Sequence, residues 1–276
     1  MESRFGKEIS RFGKKDGILA LCMFLFSTLL IVASITVRNM GFPMPWFVAR
    51  IIEYIPVVTI IVIVLHNKQG LSYIGIHKEK LWPAIRLGLL FSLIPIIFRG
   101  LIPGFYGGFN RLSLGAIISA FAISLLFAAW EDILYAGFIT PRLYGFIKSG
   151  WFAIPLGALL FAIMHVPAWV LNGGMHFGSW ELLGLNGLQI LRWCIGFTFY
   201  FAVFRKYYSI VPVILIHTIN NFMWDLTSGA PEPFGMENWW IISNAARLLA
   251  AGTLFFHIYK SEKKEQQNSL TTRRNK

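Results

Sequence analysis

The sequence predicts an all-α fold: a polytopic membrane helix bundle of about eight transmembrane helices, both termini cytoplasmic. Three observations carry this expectation. Of the 276 residues, 56% are apolar, 16% aromatic and only 14% charged, and mean hydropathy is positive. Apolar runs recur at lengths of about 20 residues, enough to cross roughly 30 Å of hydrocarbon. The basic residues, finally, alternate along the chain in a way that assigns a side to each loop.

The runs lie near 17–37, 47–65, 83–103, 113–141, 151–171, 183–204, 208–228 and 239–259. Before the first, residues 1–16 form a basic cytoplasmic segment in which Ser3-Arg4-Phe5-Gly6-Lys7 is repeated as Ser10-Arg11-Phe12-Gly13-Lys14. Such a segment reads either as a solvated tail or as one held on an anionic leaflet by Phe5 and Phe12 interleaved with the cations. The first run is long and no small-residue cleavage site follows it, so it is expected to act as a signal anchor. Residues 70–82 read as interfacial, with Trp82 anchoring the third span at the headgroups. The bundle is expected over 17–260, and 261–276 as a disordered, basic tail lacking large hydrophobes except Leu270.

A net charge of +12 suits nucleic-acid binding in principle, but its distribution speaks for topology and against a nucleic-acid partner. Arg4, Lys7, Arg11, Lys14 and Lys15 precede the first span, and Lys260, Lys263, Lys264, Arg273, Arg274 and Lys276 follow the last. The same alternation places Lys68, Lys78, Lys80, Arg86, Arg142, Lys148, Arg205 and Lys206 inside, leaving Arg38, Arg50, Arg99 and Arg111 outside. The loop 229–238 holds Glu232 and Glu237 without a basic residue, as an outside loop allows. Cys22 and Cys194 fall within spans, which argues against a disulfide and against a thiolate metal site.

Ionisable groups are costly in hydrocarbon, and those kept there usually face a cavity and serve function. Three patterns put them in the back half: Glu131-Asp132-Ile133-Leu134-Tyr135-Ala136-Gly137, Phe161-Ala162-Ile163-Met164-His165, and His217-Thr218-Ile219-Asn220-Asn221. At about 1.5 Å of rise per residue, Glu131 sits roughly 16 Å above Arg142, His165 about 20 Å above Gly150, and His217 about 14 Å above Tyr208. Three helices thus deliver polar groups to a similar depth. His217 and Asn221, four residues apart, share one face, which Asp225 continues by a turn. The pair suits two donors directed at one ligand, or a helix–helix hydrogen bond of modest strength. Other conspicuous residues have plainer readings: Glu53 as a helix partner or cavity cap, His176 and His257 as interfacial, Trp239 and Trp240 as part of an aromatic belt.

These motifs resemble those of the CPBP family, the type II CAAX prenyl proteases (Rce1-like) and bacteriocin-processing intramembrane proteases. The family pattern is Glu-Glu-x-x-x-Arg-Gly, then Phe-x-x-x-His, then His-x-x-x-Asn or Asp. Glu131, Phe161, His165, His217 and Asn221 match it, and Tyr135 and Gly137 fit; the resemblance covers about 112–228. It implies an intramembrane endopeptidase acting on a membrane-associated peptide or protein, set in a prokaryotic cell membrane. By the same resemblance, Glu131 and His165 would orient and deprotonate a water that attacks a peptide carbonyl, while His217 and Asn221 would stabilise the oxyanion. Bacteriocin processing or self-immunity fits a small protein without a soluble domain better than prenyl processing does.

The first motif departs from the pattern twice. Asp132 stands for the second Glu, and Ala136 for the Arg that would lie four residues on and pair with it. Arg192 or Arg247, each within a span about 18 Å from its cytoplasmic end, could supply the missing cation. Arg192 is favoured because it falls in the core region, although an Arg reaching out to the interface is the simpler reading. The departures also fit an inactive relative that binds a membrane partner or confers immunity. Retention of Glu131, both histidines and Asn221 favours the enzyme. A proton-coupled transporter would also bury Glu and His, but no paired broken helices in repeated halves are evident. Zinc held by Glu131, His165 and His217 is a further option, though the chain has no His-Glu-x-x-His helix, and a metal-free, glutamate-dependent reaction is preferred.

Overall fold

The computed structural model describes residues 4–42, 45–148, 150–172, 180–227 and 236–274, and among them every regular element is helical. In chain order these are α1 (Arg4–Ser10), α2 (Lys14–Asn39), α3 (Trp46–His66), a 3₁₀ turn (Leu71–Ile74), α4 (Leu81–Pro95), a wide π segment (Ile96–Leu101) and α5 (Ile102–Gly107). Then come α6 (Leu114–Asp132), a second π segment (Ile133–Ile139), α7 (Thr140–Ile147), α8 (Gly150–Leu171), α9 (Trp180–Tyr207), α10 (Val211–Thr227) and α11 (Met236–Arg274).

Among the described residues, seven helices are long and apolar enough to cross a membrane: Lys14–Asn39, Phe47–His66, Leu81–Gly107, Leu114–Ile147, Phe152–Leu171, Asn186–Tyr207 and Ile241–Ser261. The eighth expected span, 208–228, is α10, which at 17 residues is shorter and carries the His217 motif. Its start is delayed because Tyr208, at φ 50°, ends α9 in the left-handed region. The expected tail at 261–276 differs as well, since α11 runs on to Arg274. Once a helix is nucleated, adding Lys, Glu and Gln residues to it is cheap, and the stretch after Lys260 is rich in them. Glu232 and His176 lie outside the described residues, and of Glu237, Trp239 and Trp240 only the backbone is described. Trp82 is 71% exposed at the start of α4, as an interfacial anchor requires.

Both π segments occur where proline and glycine weaken the backbone ladder. Pro95 precedes the first, which contains Gly100, and Gly137 lies in the second, just before Pro141. Proline lacks the N–H that would close its own turn, and the freed carbonyls tolerate the wider pitch.

The chain divides into two compact units: Met1–Glu8, Ile74–Asp132 and Phe199–Lys276 form one, and Ile9–Tyr73 with Ile133–Thr198 the other. In the first, α10 packs on α4, α5, α6 and the Ile96–Leu101 segment. Gly88 permits the approach of α4, for a Cβ there would meet the Pro212 backbone at 2.9 Å. Both ends of α10 are tied down. The Ile210 amide donates to the Gly75 carbonyl at 3.0 Å, while Asn110 donates from its backbone to Leu226 O (2.9 Å) and from its side chain to Asp225 O (2.8 Å). Gly75 itself, at φ +84°, occupies a conformation other residues rarely adopt and lies against the Phe204 ring. In the second unit, α2 packs on α3, α7 and α8, and Tyr135 joins Phe24, Phe161 and Phe197 in an aromatic cluster at ring separations of 5.4–6.5 Å.

The repeated N-terminal pentapeptide is neither solvated nor lipid-facing at its aromatic positions. Phe5 is 3% exposed, packed by Phe201 and Tyr208 beneath the Arg205 guanidinium at 5.0 Å. Phe12 is 5% exposed, near Tyr73 and beneath Arg142 at 4.6 Å. Each ring therefore fills a socket made of a tyrosine and an arginine, where cation–π attraction adds to apolar burial. Gly145 faces the Phe12 backbone directly, leaving no room for a side chain.

Two outcomes follow from this packing. Phe12→Ala removes a buried ring and should cost about 3–5 kcal/mol, read as a lower unfolding midpoint in detergent; an unchanged midpoint would put that ring in solvent or lipid. Gly88→Val should separate α4 from α10 and cost about 1–3 kcal/mol by overpacking, measured in the same way.

Candidate functional site

The first polar motif ends α6. Glu131 and Asp132 are its last two residues, both buried, and the backbone then widens into the π segment Ile133–Ile139. Wide turns of this kind often accompany functional positions because they shift the phase of the side chains that follow. The third motif occupies the middle of α10, where His217 and Asn220 are buried and Asn221 is half-buried. Residues three and four apart share a helix face, so the spacing of these side chains presents them together.

The His217 ring is bracketed by carboxylates. Its Nδ1 lies 3.2 Å from Asp132 Oδ1, a hydrogen bond, and its Nε2 lies 3.8 Å from Glu131 Oε2, beyond direct bonding but close for charge attraction. Tyr200 covers the ring at a centroid distance of 4.8 Å and 30° between planes. With so many neighbours the imidazole has a single orientation. Asp132 is wholly buried, and its Oδ2 finds no hydrogen-bond partner among the described residues. When the proton sits on Asp132, or when the ring is an imidazolium, Nε2 carries a hydrogen and is a donor.

Beyond His217 the polar chain continues. Arg247 of α11 donates through Nη2 to Asn220 Oδ1 at 2.7 Å, and Asn220 Nδ2 donates to Asn221 Oδ1 at 3.2 Å. Arg247 is 6% exposed and Asn220 7%, so both bonds lie where water competes little. A turn further on, Asp225 Oδ2 accepts a long bond from Ser124 of α6 at 3.4 Å. The structure thus brings Glu131, Asp132, His217, Asn220 and Asn221 together with Arg247 in one unit. Asn220 was not singled out as a site residue in the sequence, and Arg247 was weighed there only as the alternative to Arg192 for the missing cation. Asn220 stands beside a motif residue, three positions after His217, and this i, i+3 relation was its only signal.

His165 belongs to the other unit, on α8. Its Nδ1 is 2.8 Å from the Phe161 carbonyl, which can only accept, so Nδ1 carries a hydrogen and, in the neutral ring, Nε2 holds the lone pair. That is the tautomer a general base requires. The ring is stacked on Trp193 at 4.8 Å and 25°, with Phe161 on another side at 4.8 Å, and Trp169 meets Trp193 edge-on. The Phe-x-x-x-His spacing explains the first contact, since Phe161 lies one turn from His165 on the same helix. Arg192 is half-buried on α9 in this second unit, and the buried arginine of the Asn220 network is Arg247. Among the described residues, no group of three or more His, Cys, Asp or Glu side chains has the geometry to hold a metal ion.

No curated protein matches the chain. A family model does: the type II CAAX prenyl endopeptidase, Rce1-like, matches residues 112–223. The matched stretch runs from just before α6 into α10 and includes Glu131, Asp132, His165, Arg192, His217 and Asn221, whereas Arg247 lies beyond it. Order of motifs, membrane-spanning helices and family match agree: in a chain with seven helices long and apolar enough to cross a membrane, residues 112–223 are similar to the Rce1-like type II CAAX prenyl endopeptidases.

Proposed function

We propose that the protein is an intramembrane endopeptidase that hydrolyses a peptide bond of a membrane-associated peptide or protein. The observation that carries this reading is the buried His217, held between Asp132 and Glu131 with the Asn221 amide one turn away, inside a stretch matching a peptidase family. Glu131 takes the proton of a water as its oxygen bonds to the peptide carbonyl carbon, a task that the family resemblance assigns to it jointly with His165. The carbonyl π electrons move to oxygen, which becomes an oxyanion, and His217 Nε2–H and Asn221 Nδ2–H donate to it. Collapse re-forms the carbonyl and breaks the C–N bond, while the stored proton passes to the leaving amine. In this mechanism Asp132 holds the His217 ring in place rather than touching the substrate. The reading is metal-free: Glu131 acts as base and His217 as donor, roles that zinc ligation would block.

Bacteriocin processing or self-immunity is the setting we favour, on the resemblance of the three motifs to those of bacteriocin-processing members. A second reading has a specific observation behind it. Ala136 stands where the family has Arg, and Asp132 where it has Glu, as an inactive, partner-binding or immunity relative would allow.

Mass spectrometry of peptide termini in membrane and secreted fractions separates the two, comparing cells that express wild type with cells that express Glu131→Ala at equal level. A cleavage present only with wild type is the expected result and identifies the substrate. Identical termini, with a phenotype rescued equally by both forms, would instead support the inactive relative. With that substrate in hand, Asn221→Ala should lower kcat by about 10²–10³-fold at nearly constant KM, and Asp132→Asn by about 10–100-fold. Cleavage by purified protein should survive a strong chelator. Loss of activity with it, restored by zinc and accompanied by one tightly held zinc per chain, would overturn the metal-free mechanism.

A further inference from the structure

We propose that Arg247 is a positioning residue that sets which end of the Asn221 amide faces the substrate, acting through Asn220. The inference rests on the donor role given to Asn221 above and identifies what makes that role reliable. An asparagine side chain is nearly symmetric in shape but opposite in polarity at its two ends. Turned one way, Asn221 offers N–H groups to a developing oxyanion; turned by 180°, it offers an oxygen that repels the same charge. Something must decide between them.

The decision can be followed bond by bond. A guanidinium has donors only and stays charged, so the group it meets at 2.7 Å must be the oxygen of Asn220. The Asn220 NH₂ end is thereby turned toward Asn221, and the atom that accepts from it at 3.2 Å must be the Asn221 oxygen. With its oxygen engaged by Asn220, Asn221 keeps the Nδ2 hydrogens for another acceptor. Burial supports the argument, because Arg247 and Asn220 are 6% and 7% exposed and a wrongly turned amide could not recover its bonds from water. The polarity of the chain thus originates in a residue of α11, outside the matched stretch 112–223.

The test uses the full-length protein in detergent and a peptide spanning the bond that Glu131→Ala leaves uncut. Arg247→Met removes the donor. Asn220→Asp retains an acceptor for Arg247 but can no longer donate to Asn221, so it should capture the Asn221 NH₂ instead. Both variants should lower kcat by about 10²-fold while KM stays within about twofold, and Arg247→Lys should restore part of the loss. In an Asn221→Ala background neither should lower kcat further, since the donor they orient is gone. An equal loss in that background, or no loss in the wild-type background, would overturn the proposal. A second measurement does not require turnover: the Asn221 side-chain amide signal of Asn-¹⁵N-labelled protein, identified by its disappearance in Asn221→Ala, should shift in Asn220→Asp and Arg247→Met. A signal unmoved by both refutes the positioning role. A signal that moves in protein that cuts no peptide supports the positioning role and removes the peptidase reading.

Discussion

A polar side chain buried away from water must find its partners inside the protein, and α10 is the helix on which this constraint falls most heavily. It carries His217, Asn220, Asn221, Asp225 and Thr227 within a single short helix. Their partners come from several other elements: Asp132 and Ser124 from α6, Arg247 from α11, and the Arg99 carbonyl from the Ile96–Leu101 segment, which accepts from Thr227 at 2.9 Å. An unpaired buried group costs about 1–3 kcal/mol, more if charged, so each of these links ties a neighbouring helix to one register on α10. Among the described residues of this network, Asp132 Oδ2 has no hydrogen-bond partner, and it lies beside the ring of the proposed mechanism. Polar groups found unsatisfied in an otherwise satisfied network are a recurrent feature of functional sites.

The backbone is irregular where the site requires it. Glu131 and Asp132 stand at the junction between regular helix and the π segment, so two adjacent residues can both address His217, one at each ring nitrogen. On α10 the opposite strategy holds. The helix is regular, pinned at Ile210 and at Leu226, and admitted close to α4 by Gly88 facing Pro212. A site built from one irregular helix end and one regular helix centre lets two adjacent carboxylates reach the two nitrogens of one imidazole.

How much of this was legible in the sequence differed by the range of the interaction involved. Seven of the eight apolar runs of membrane length correspond to helices long and apolar enough to cross a membrane, and the eighth to the shorter α10, because backbone satisfaction in hydrocarbon admits little else. The motif residues Glu131, His165, His217 and Asn221 stood out because charge and amide are rare in such runs. What could not be read depends on partners distant in sequence. The Asn220–Arg247 bond joins residues 27 apart and the His217–Asp132 bond residues 85 apart, and no local pattern encodes either. Asp132 looked like a carboxylate deprived of its arginine; its hydrogen-bond partner proved to be the histidine of the third motif. The tail beyond Lys260 looked disordered by composition, yet its residues are good helix formers joined to an existing helix.

The N-terminal repeat has a consequence for the order in which the molecule is made. Phe5 and Phe12 leave the ribosome well before Arg142 and the cluster Phe201, Arg205 and Tyr208, which are synthesised far later. Until then the two rings have no sockets and α1 has nothing to pack on. Docking of this segment must therefore be a late event, following membrane insertion of the helices that supply its arginines, and the two copies report separately on the two units. The repeat acts as a pair of latches, each closing only once its own unit has supplied the arginine.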